Sequence, residues 1–478
     1  MLNNKTITPF LEISYEKLEE LNLTAIKRSE TIDPALLEKE YREYFKKETK
    51  LKAITLCFSD LEGRLHMLDY DKKFFLGGAD NLTFDGSSIK GFSDLNESDL
   101  RLGVDWSSIR YLPSDIFGPG KVIMFANILT PDRKFHPADF RSSLAELMVK
   151  MAKKDGVVPH FSAEVEGFLM KGTDVEQNFN RAVGFTLASQ GGYYHSLPLD
   201  ELRQFIDRSA EVQRAMGFMN EKDHPEVAPS QFELNFSYSN ALLAADNILL
   251  YKLVCRQVAN TMGMTATFLP KPIAGVNGSG MHLNISLIKG KKNLFFDDKG
   301  KEKISKLAWG FIDRILNHAP ELCLVLNPSV NAYRRLDPNF EAPNQIKVSA
   351  SDRGAMIRIP AGNAKSARIE IRSVAPDINP YLAFYTILRT GLEGTKLKKE
   401  AGKRDRLRFL PSTIYDAIRI FKSSDLMKKI LGDDTHGKYI SHKQVVADRS
   451  PKSLGTIVKT SEVIYHHEVT NQVLWNRY

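Results

Sequence analysis

The sequence predicts an α+β chain: a small β-rich N-terminal domain, then a larger domain in which strands and helices alternate. Three observations predict it. The chain has 478 residues, more than one core of about 100–200 residues per domain accounts for. Short strand-like runs at 53–58, 65–68 and 122–128 crowd the early part of the chain. Beyond residue 155 strand-like and helical segments alternate, with no short-period repeat and no low-complexity tract.

In chain order, residues 1–50 read as a charged helical extension, with Leu36, Leu37, Tyr41, Tyr44 and Phe45 near helical spacing. The run Ala53 to Phe58 is a strand closed by the turn Asp60 to Gly63. Thr130-Pro131-Asp132-Arg133 is a turn cluster, and it marks the end of a β-rich domain assigned to 51–135. A helix is expected from near Ser142, where Leu144, Leu147, Met148 and Met151 repeat at i, i+3, i+4 and i+7. Residues 136–478 form the second, larger domain.

Composition excludes several classes. Hydrophobic residues make up 42% and charged residues 26%, as in a soluble globular protein. No apolar run reaches the roughly 18 residues of a membrane span, and the N-terminus lacks a signal-peptide pattern. Cys57, Cys255 and Cys323 stand far apart, without a CxxC pair, which suits a reducing cytoplasm. The net charge of +8 comes from 66 basic and 58 acidic residues that are interspersed. The densest basic stretch, Lys396 to Arg408, has no aromatic until Phe409, so nucleic acid is not an expected partner.

Four segments carry the chemistry. In Phe161 to Leu169, Glu164 and Glu166 project from one face of a strand. Such carboxylates repel, and a divalent cation relieves them. In Met281 to Leu287, His282, Asn284 and Ser286 share a face. Arg358 lies between Ile357 and Ile359, and Arg368, Glu370 and Arg372 share a face opposite Ile369 and Ile371. Any one of these could be the wet side of an antiparallel sheet. Together, beside the glycine-rich turn Asn277-Gly278-Ser279-Gly280, they fit a cavity that holds cations and anionic phosphates. Glu226 and Glu233 are seven apart, so both can face one cavity only if the chain bends, with Pro229-Ser230 the expected place.

Read in order, these segments join others: Asp85-Gly-Ser-Ser-Ile-Lys-Gly-Phe92, Gly191-Gly-Tyr-Tyr194, Asn327 to Leu336, Phe340-Glu-Ala-Pro343 and Asn379 to Phe384. The series resembles glutamine synthetase of the prokaryotic type I class over roughly residues 50–395, with an added N-terminal extension. The resemblance implies a β-grasp-like N-terminal domain and a C-terminal domain with an open, barrel-like antiparallel sheet flanked by helices. It implies ATP-dependent ligation of ammonia to the γ-carboxylate of glutamate through γ-glutamyl phosphate. It also implies a homo-dodecamer of two stacked hexameric rings.

By that resemblance two or more Mg²⁺ or Mn²⁺ ions are held, one by Glu166, Glu226 and Glu233, another by Glu164, His282 and Glu370. Glutamate falls to Arg335 and Arg372, with Asn277 and Gly278 at its amino-acid end and Tyr193 at the entrance. ATP falls to Arg353, Arg358 and Ser286. Asp85, from the neighbouring subunit, binds ammonium, and Glu341 closes a flap over the acyl phosphate, from which water must be excluded.

Several positions depart from the family pattern. Asp352 and Gly354 flank Arg353, Pro225 stands within His224-Pro225-Glu226, and Asn284 replaces a second histidine. Arg408 stands where some members carry a modified tyrosine, and Asp94 where some carry a regulatory arginine. Rival readings are a γ-glutamyl-polyamine or -amine ligase of the same fold and a non-catalytic oligomeric scaffold. Tyr193 and Tyr194 also read as a packing pair of aromatics, Phe295 and Phe296 as core residues, and His466 and His467 as surface or packing residues.

Overall fold

A computed structural model of the chain describes residues 13–93, 98–173, 175, 185–196, 200–336, 342–396 and 407–448. The extension forms α1 (Tyr15–Thr31) and α2 (Pro34–Lys47). Each starts at a side-chain cap: Ser14 accepts from the Lys17 amide, and Asp33 from the Ala35 amide, with Pro34 at the first helical position. Buried Asn22 of α1 exchanges hydrogen bonds with the Tyr111 backbone and donates to the Ala215 carbonyl at 2.7 Å, which fastens the extension to both parts of the chain.

The first sheet has six strands: β1 (Ala53–Ser59), β2 (Leu65–Asp71), β3 (Leu82–Asp85), β4 (Asp99–Val104), β5 (Arg110–Tyr111) and β6 (Lys121–Leu129). Its order is β2-β1-β6-β4-β3, with β5 on β6. The β1–β6 pair is parallel and the rest antiparallel. Helices α3 (Lys72–Gly78) and α4 (Ser114–Phe117) fill the connections. The next helix, α5 (Phe140–Asp155), starts two residues before the sequence expectation. Asp139 caps it, accepting from the amides of Arg141 and Ser142.

The second sheet has ten strands. β7 (Val157–Lys171) is its long spine. After helix α6 (Glu201–Ala215) come β8 (Asn220–Pro225), β9 (Gln231–Phe236) and β10 (Ser239–Asn240). After α7 (Ala241–Thr261) come β11 (Met264–Thr267), β12 (Met281–Lys289) and β13 (Lys292–Asn293). Helices α8 (Lys306–Asn317), α9 (Ala319–Leu326) and α10 (Val330–Arg335) precede β14 (Gln345–Ser349), β15 (Ala355–Arg358) and β16 (Ile369–Ile371). The order is β14-β15-β16-β12-β7-β9-β8.

Every pair in this sheet is antiparallel except β14–β15, which is parallel. The 15-residue β7 pairs with β12 through residues 157–165, then with β9 and β11 through 166–171. That exchange of partners along one strand curls the sheet into an open half-barrel. Helices α11 (Pro380–Glu393), α12 (Ile414–Lys422), α13 (Asp425–Leu431) and α14 (Asp433–Asp448) complete the C-terminal layer.

Alternation decides which face does what. Val165, Ile285 and Ile371 are fully buried, and the Tyr251 hydroxyl of α7 reaches the Val165 carbonyl at 2.9 Å. The residues between them in the strands face the other way, into the hollow of the curl. Cys57, Cys255 and Cys323 are buried free thiols. Among the described residues no helix is long and apolar enough to cross a membrane. Phe295 is fully buried, as read from the sequence, while Phe296 is half-buried.

Candidate active site

Strand register assembles the site. On β7, Glu166 faces Glu233 of β9, which faces His224 of β8. Two residues along β7, Glu164 faces His282 of β12. On the next pair of strands Asn284 of β12 faces Glu370 of β16, which faces Arg358 of β15. Directly opposed residues in an antiparallel pair hold their Cβ atoms about 4.5–5.5 Å apart. A band of acids, imidazoles and a guanidinium therefore crosses six neighbouring strands.

Glu226 joins this band through a bend where the sequence places it. β8 ends at Pro225 and β9 begins at Gln231, with Ser230 in the left-handed region at φ 60°. The Ser230 hydroxyl donates to the Ser189 carbonyl at 3.1 Å and accepts from the Ser189 amide, which holds the bend.

Two clusters have the spacing of cation sites. In the first, His282 Nδ1 lies 3.4 Å from a Glu164 oxygen and 3.7 Å from a Glu370 oxygen. In the second, His224 lies 3.5 Å from Glu226 and 3.7 Å from Glu233. In each cluster one donor atom per residue lies within 4.8 Å of the others. Donors about 2.1 Å from a common ion stand roughly 3–4.2 Å apart, so the gaps fit a magnesium- or manganese-sized ion.

Electrostatics point the same way. Burial and the neighbouring Glu166 charge push Glu226 up to about 7. Burial, with Glu166, Glu164 and Glu226 nearby, pushes Glu233 well above the usual carboxylate range. Acids crowded in this way need a cation between them to ionise. The buried Nε2 of His224 has no hydrogen-bond partner, leaving a lone pair or proton unmatched in the same gap. Glu164 differs. Burial works against its charge, but hydrogen bonding and charge from His282, and a hydrogen bond from Asn284, hold it down at about 2.

The sequence reading grouped Glu166 with Glu226 and Glu233 and did not single out His224, which the structure places in the cluster with Glu226 and Glu233. Glu166 lies beside the second cluster, where its Oε2 accepts from the Gly280 amide at 2.8 Å and from Gln231 at 3.2 Å. The signal for His224 was available: it sits two residues before Glu226, the spacing that puts two strand residues on one face.

These residues line one open basin of about 450 Å³. Asn277, Gly278, Arg335, Arg353, Arg358, Arg372 and Tyr193 line it as well. Glu370 is central. It is 1% exposed, and its two oxygens accept from Arg358 at 3.0 Å and Arg372 at 3.1 Å while facing His282. Arg335 is buried and donates to the carbonyls of Val374 and Arg372, both at 3.1 Å. Burial lowers its pKa to about 10, so it stays charged at neutral pH. Asp352 pairs with Lys347 at 2.6 Å, so its charge has its own partner beside Arg353. Tyr193 is half-exposed and stacks on Tyr194 at the rim, with ring centroids 3.8 Å apart.

Gly280 explains part of this arrangement. A Cβ there would lie 2.4 Å from Arg335 Nη2 and 3.1 Å from His282 Nε2. The guanidinium is held by two carbonyls and cannot swing aside cheaply. Gly280→Ala is therefore expected to displace it by the order of 1 Å and to lower kcat/KM about 100-fold. Steady-state kinetics varying each substrate check this.

Ser286 lies in a neighbouring groove of about 270 Å³ with Arg368, Asn284, His160, Phe236 and Tyr238. Asp85 does not line the basin of its own chain. It ends β3, exposed, and its carboxylate accepts from Ser87 and Ser88. The Ser87 and Ser88 hydroxyls hold it below the usual carboxylate range, so it is anionic at neutral pH. Glu341, Asp94, His466 and His467 lie outside the described residues.

Comparison with known proteins agrees with this geometry. The family profile "Glutamine synthetase, catalytic domain" matches residues 138–453, and "Glutamine synthetase, beta-Grasp domain" matches 50–131. The chain is 37% identical to a glutamine synthetase of Methanosarcina mazei over 421 residues, covering 84% of this chain and 92% of that one. It is 35% identical to one of Thermotoga maritima over 436 residues, covering 87% and 96%. Among solved structures, Plasmodium falciparum glutamine synthetase shares the fold at TM-score 0.77 and 21% identity, covering 90% of this chain and 98% of that one. A GmaS/ADP complex aligns at TM-score 0.73 and 25% identity over the same shares.

Proposed function

The chain belongs to the glutamine synthetase family, and on that premise we propose how its basin carries out ATP-dependent synthesis of glutamine from glutamate and ammonia. The observation that carries the proposal is the pair of cation-sized gaps facing one arginine-lined basin. Glu164, His282 and Glu370 hold one divalent ion. Glu226 and Glu233, with His224 and Glu166, hold the other. Bound Mg²⁺ or Mn²⁺ supplies positive charge to phosphate and carboxylate oxygens that otherwise repel.

The chain's own residues do the rest. Arg335 and Arg372 orient glutamate, with Asn277 and Gly278 at its amino-acid end. Arg353 and Arg358 draw the terminal phosphate of ATP toward the basin, while Ser286 and its groove take the nucleoside. The glutamate γ-carboxylate attacks the γ-phosphorus, ADP leaves, and ammonia then displaces phosphate from γ-glutamyl phosphate. The arginines balance charge as the two anions approach.

Asp85 completes the site from a neighbouring subunit, in a homo-dodecamer of two stacked rings. Its exposure and low pKa suit an ammonium-binding group. Asp85→Ala is expected to raise the KM for ammonium at least tenfold while leaving ATP affinity within about twofold. Equal losses for both substrates would remove Asp85 from the reaction. The experiment that tests the whole reading is phosphate release from ATP with glutamate, with and without ammonium. Ethylamine and putrescine in place of ammonium test the amine-ligase alternative. No ammonium-dependent turnover in either Mg²⁺ or Mn²⁺ would defeat the proposal.

A further inference from the structure

The nucleotide groove and the metal basin are two adjoining cavities. Among the described residues they share two lining side chains, Glu164 and Lys222. The groove offers ring surface and hydroxyls, including Phe236, Tyr238 and Ser286. The phosphate-binding arginines Arg353 and Arg358 line the basin instead. A nucleotide whose base and sugar rest in the groove must lead its polyphosphate through the junction, past the Glu164 carboxylate. An acidic side chain at that junction opposes the passage of phosphate unless a cation stands beside it.

Lys222 is the cation at this junction. It precedes His224 by two residues on β8, its side chain is exposed, and no salt bridge to a described carboxylate engages it. Its charge is felt at Glu164, Glu226 and His224, three groups of the two cation clusters. Of the groove's other two basic side chains, Lys365 does not line the basin, and Arg368 is already committed, donating through Nε to Asn284 at 2.9 Å and through Nη1 to the Ser366 carbonyl.

We propose that the Lys222 ammonium binds the nucleotide polyphosphate where the groove opens into the basin, threading it between itself and the Glu164-bound cation. A flexible stem and three donors suit a contact that must follow the phosphate chain during transfer. The same charge weakens metal binding slightly before nucleotide arrives, because it stands near the ligands Glu164 and Glu226. Lys222 therefore favours loading of the cation together with the nucleotide. The proposal rests on the reading of the groove as the nucleotide site.

Calorimetry on the full-length protein tests it, using ADP with Mn²⁺ and Mn²⁺ alone as probes. Lys222→Met is expected to weaken ADP binding about tenfold or more, as loss of a charge-assisted hydrogen bond does. Lys222→Arg is expected to restore most of it. Affinity for Mn²⁺ alone is expected to hold or rise in the methionine variant, and the KM for glutamate to stay within about twofold. Unchanged ADP affinity in Lys222→Met, with wild-type ADP binding intact, overturns the role of Lys222 alone. Parallel loss of Mn²⁺ affinity overturns it too, since that outcome marks a general distortion of the site. Absence of ADP binding to the wild-type protein overturns the nucleotide reading of the groove itself.

Discussion

Glu370→Gln lowers kcat/KM by on the order of 10³ or more. The substitution keeps the size and shape of a side chain that is 1% exposed, so it tests charge rather than packing. The carboxylate has three partners: Arg358 at 3.0 Å, Arg372 at 3.1 Å and the His282 imidazole at 3.7 Å. An amide matches this set poorly. Its oxygen can accept from one guanidinium, but its NH₂ group must then face the other guanidinium or the cation gap, and both repel it. A bound cation supplies several kcal/mol to a reaction between anions, and each 1.36 kcal/mol is tenfold in rate.

Titration with Mn²⁺, followed by electron paramagnetic resonance, should show one of two sites lost, and circular dichroism should show the fold retained. Glu370→Asp, which keeps the charge and shortens the reach, should fall between. A glutamine variant that binds two ions and turns over at the wild-type rate would refute the assignment of Glu370 as a ligand.

Much of this site is legible in the sequence because strands report their faces with a period of two. Glu164 with Glu166, His282 with Asn284 and Glu370 with Arg372 could be placed on common faces before any fold was known. The bend between Glu226 and Glu233 was legible from Pro229-Ser230, and Ser230 does take the left-handed conformation there. Register was not legible. Nothing local tells that His282 stands opposite Glu164 while Asn284 stands opposite Glu370, because those pairings are set across 118 and 86 residues of chain by packing of the opposite, apolar face.

The parallel β14–β15 pair was hidden for the same reason. His224 is hidden for another: its neighbour Pro225 is the position that departs from the family pattern, although a two-residue period puts 224, not 225, on the side of Glu226. The start of α5 was read late because its periodic apolar residues begin after Asp139, and the cap lies outside the pattern.

Arg141→Met is expected to cost about 3–5 kcal/mol of stability, the range for breaking a buried ion pair by removing one partner. Arg141 lies on α5, is 2% exposed and ties the first sheet to α7. Its Nε and Nη2 donate to both oxygens of Asp246 on α7 at 2.9 and 2.8 Å. The same Nη2 donates to Asp105 after β4 at 2.7 Å, and Nη1 to Asn127 of β6 at 3.0 Å. The guanidinium also stacks over the Phe125 ring, 4.9 Å from its centroid. Methionine fills the volume but leaves two carboxylates without their cation in a region from which water is largely excluded.

The pH dependence separates this loss from one of packing. In the wild-type protein burial opposes the Asp105 charge, but Arg141 and Ser107 hold its carboxyl below the usual carboxylate range. A depressed folded-state pKa contributes stability that is present above the unfolded value of about 3.9 and lost as pH falls through the folded value. In the variant burial acts without the arginine, and the folded-state pKa of Asp105 rises above the unfolded one. The sign reverses: protonation now favours the folded state. The deficit of Arg141→Met should thus be largest near pH 7 and shrink as pH falls toward 5, whereas a purely steric loss would be flat over that range. Urea unfolding at several pH values checks this, and a deficit below about 1 kcal/mol at pH 7 would show that the arginine is not what ties the first sheet to α7.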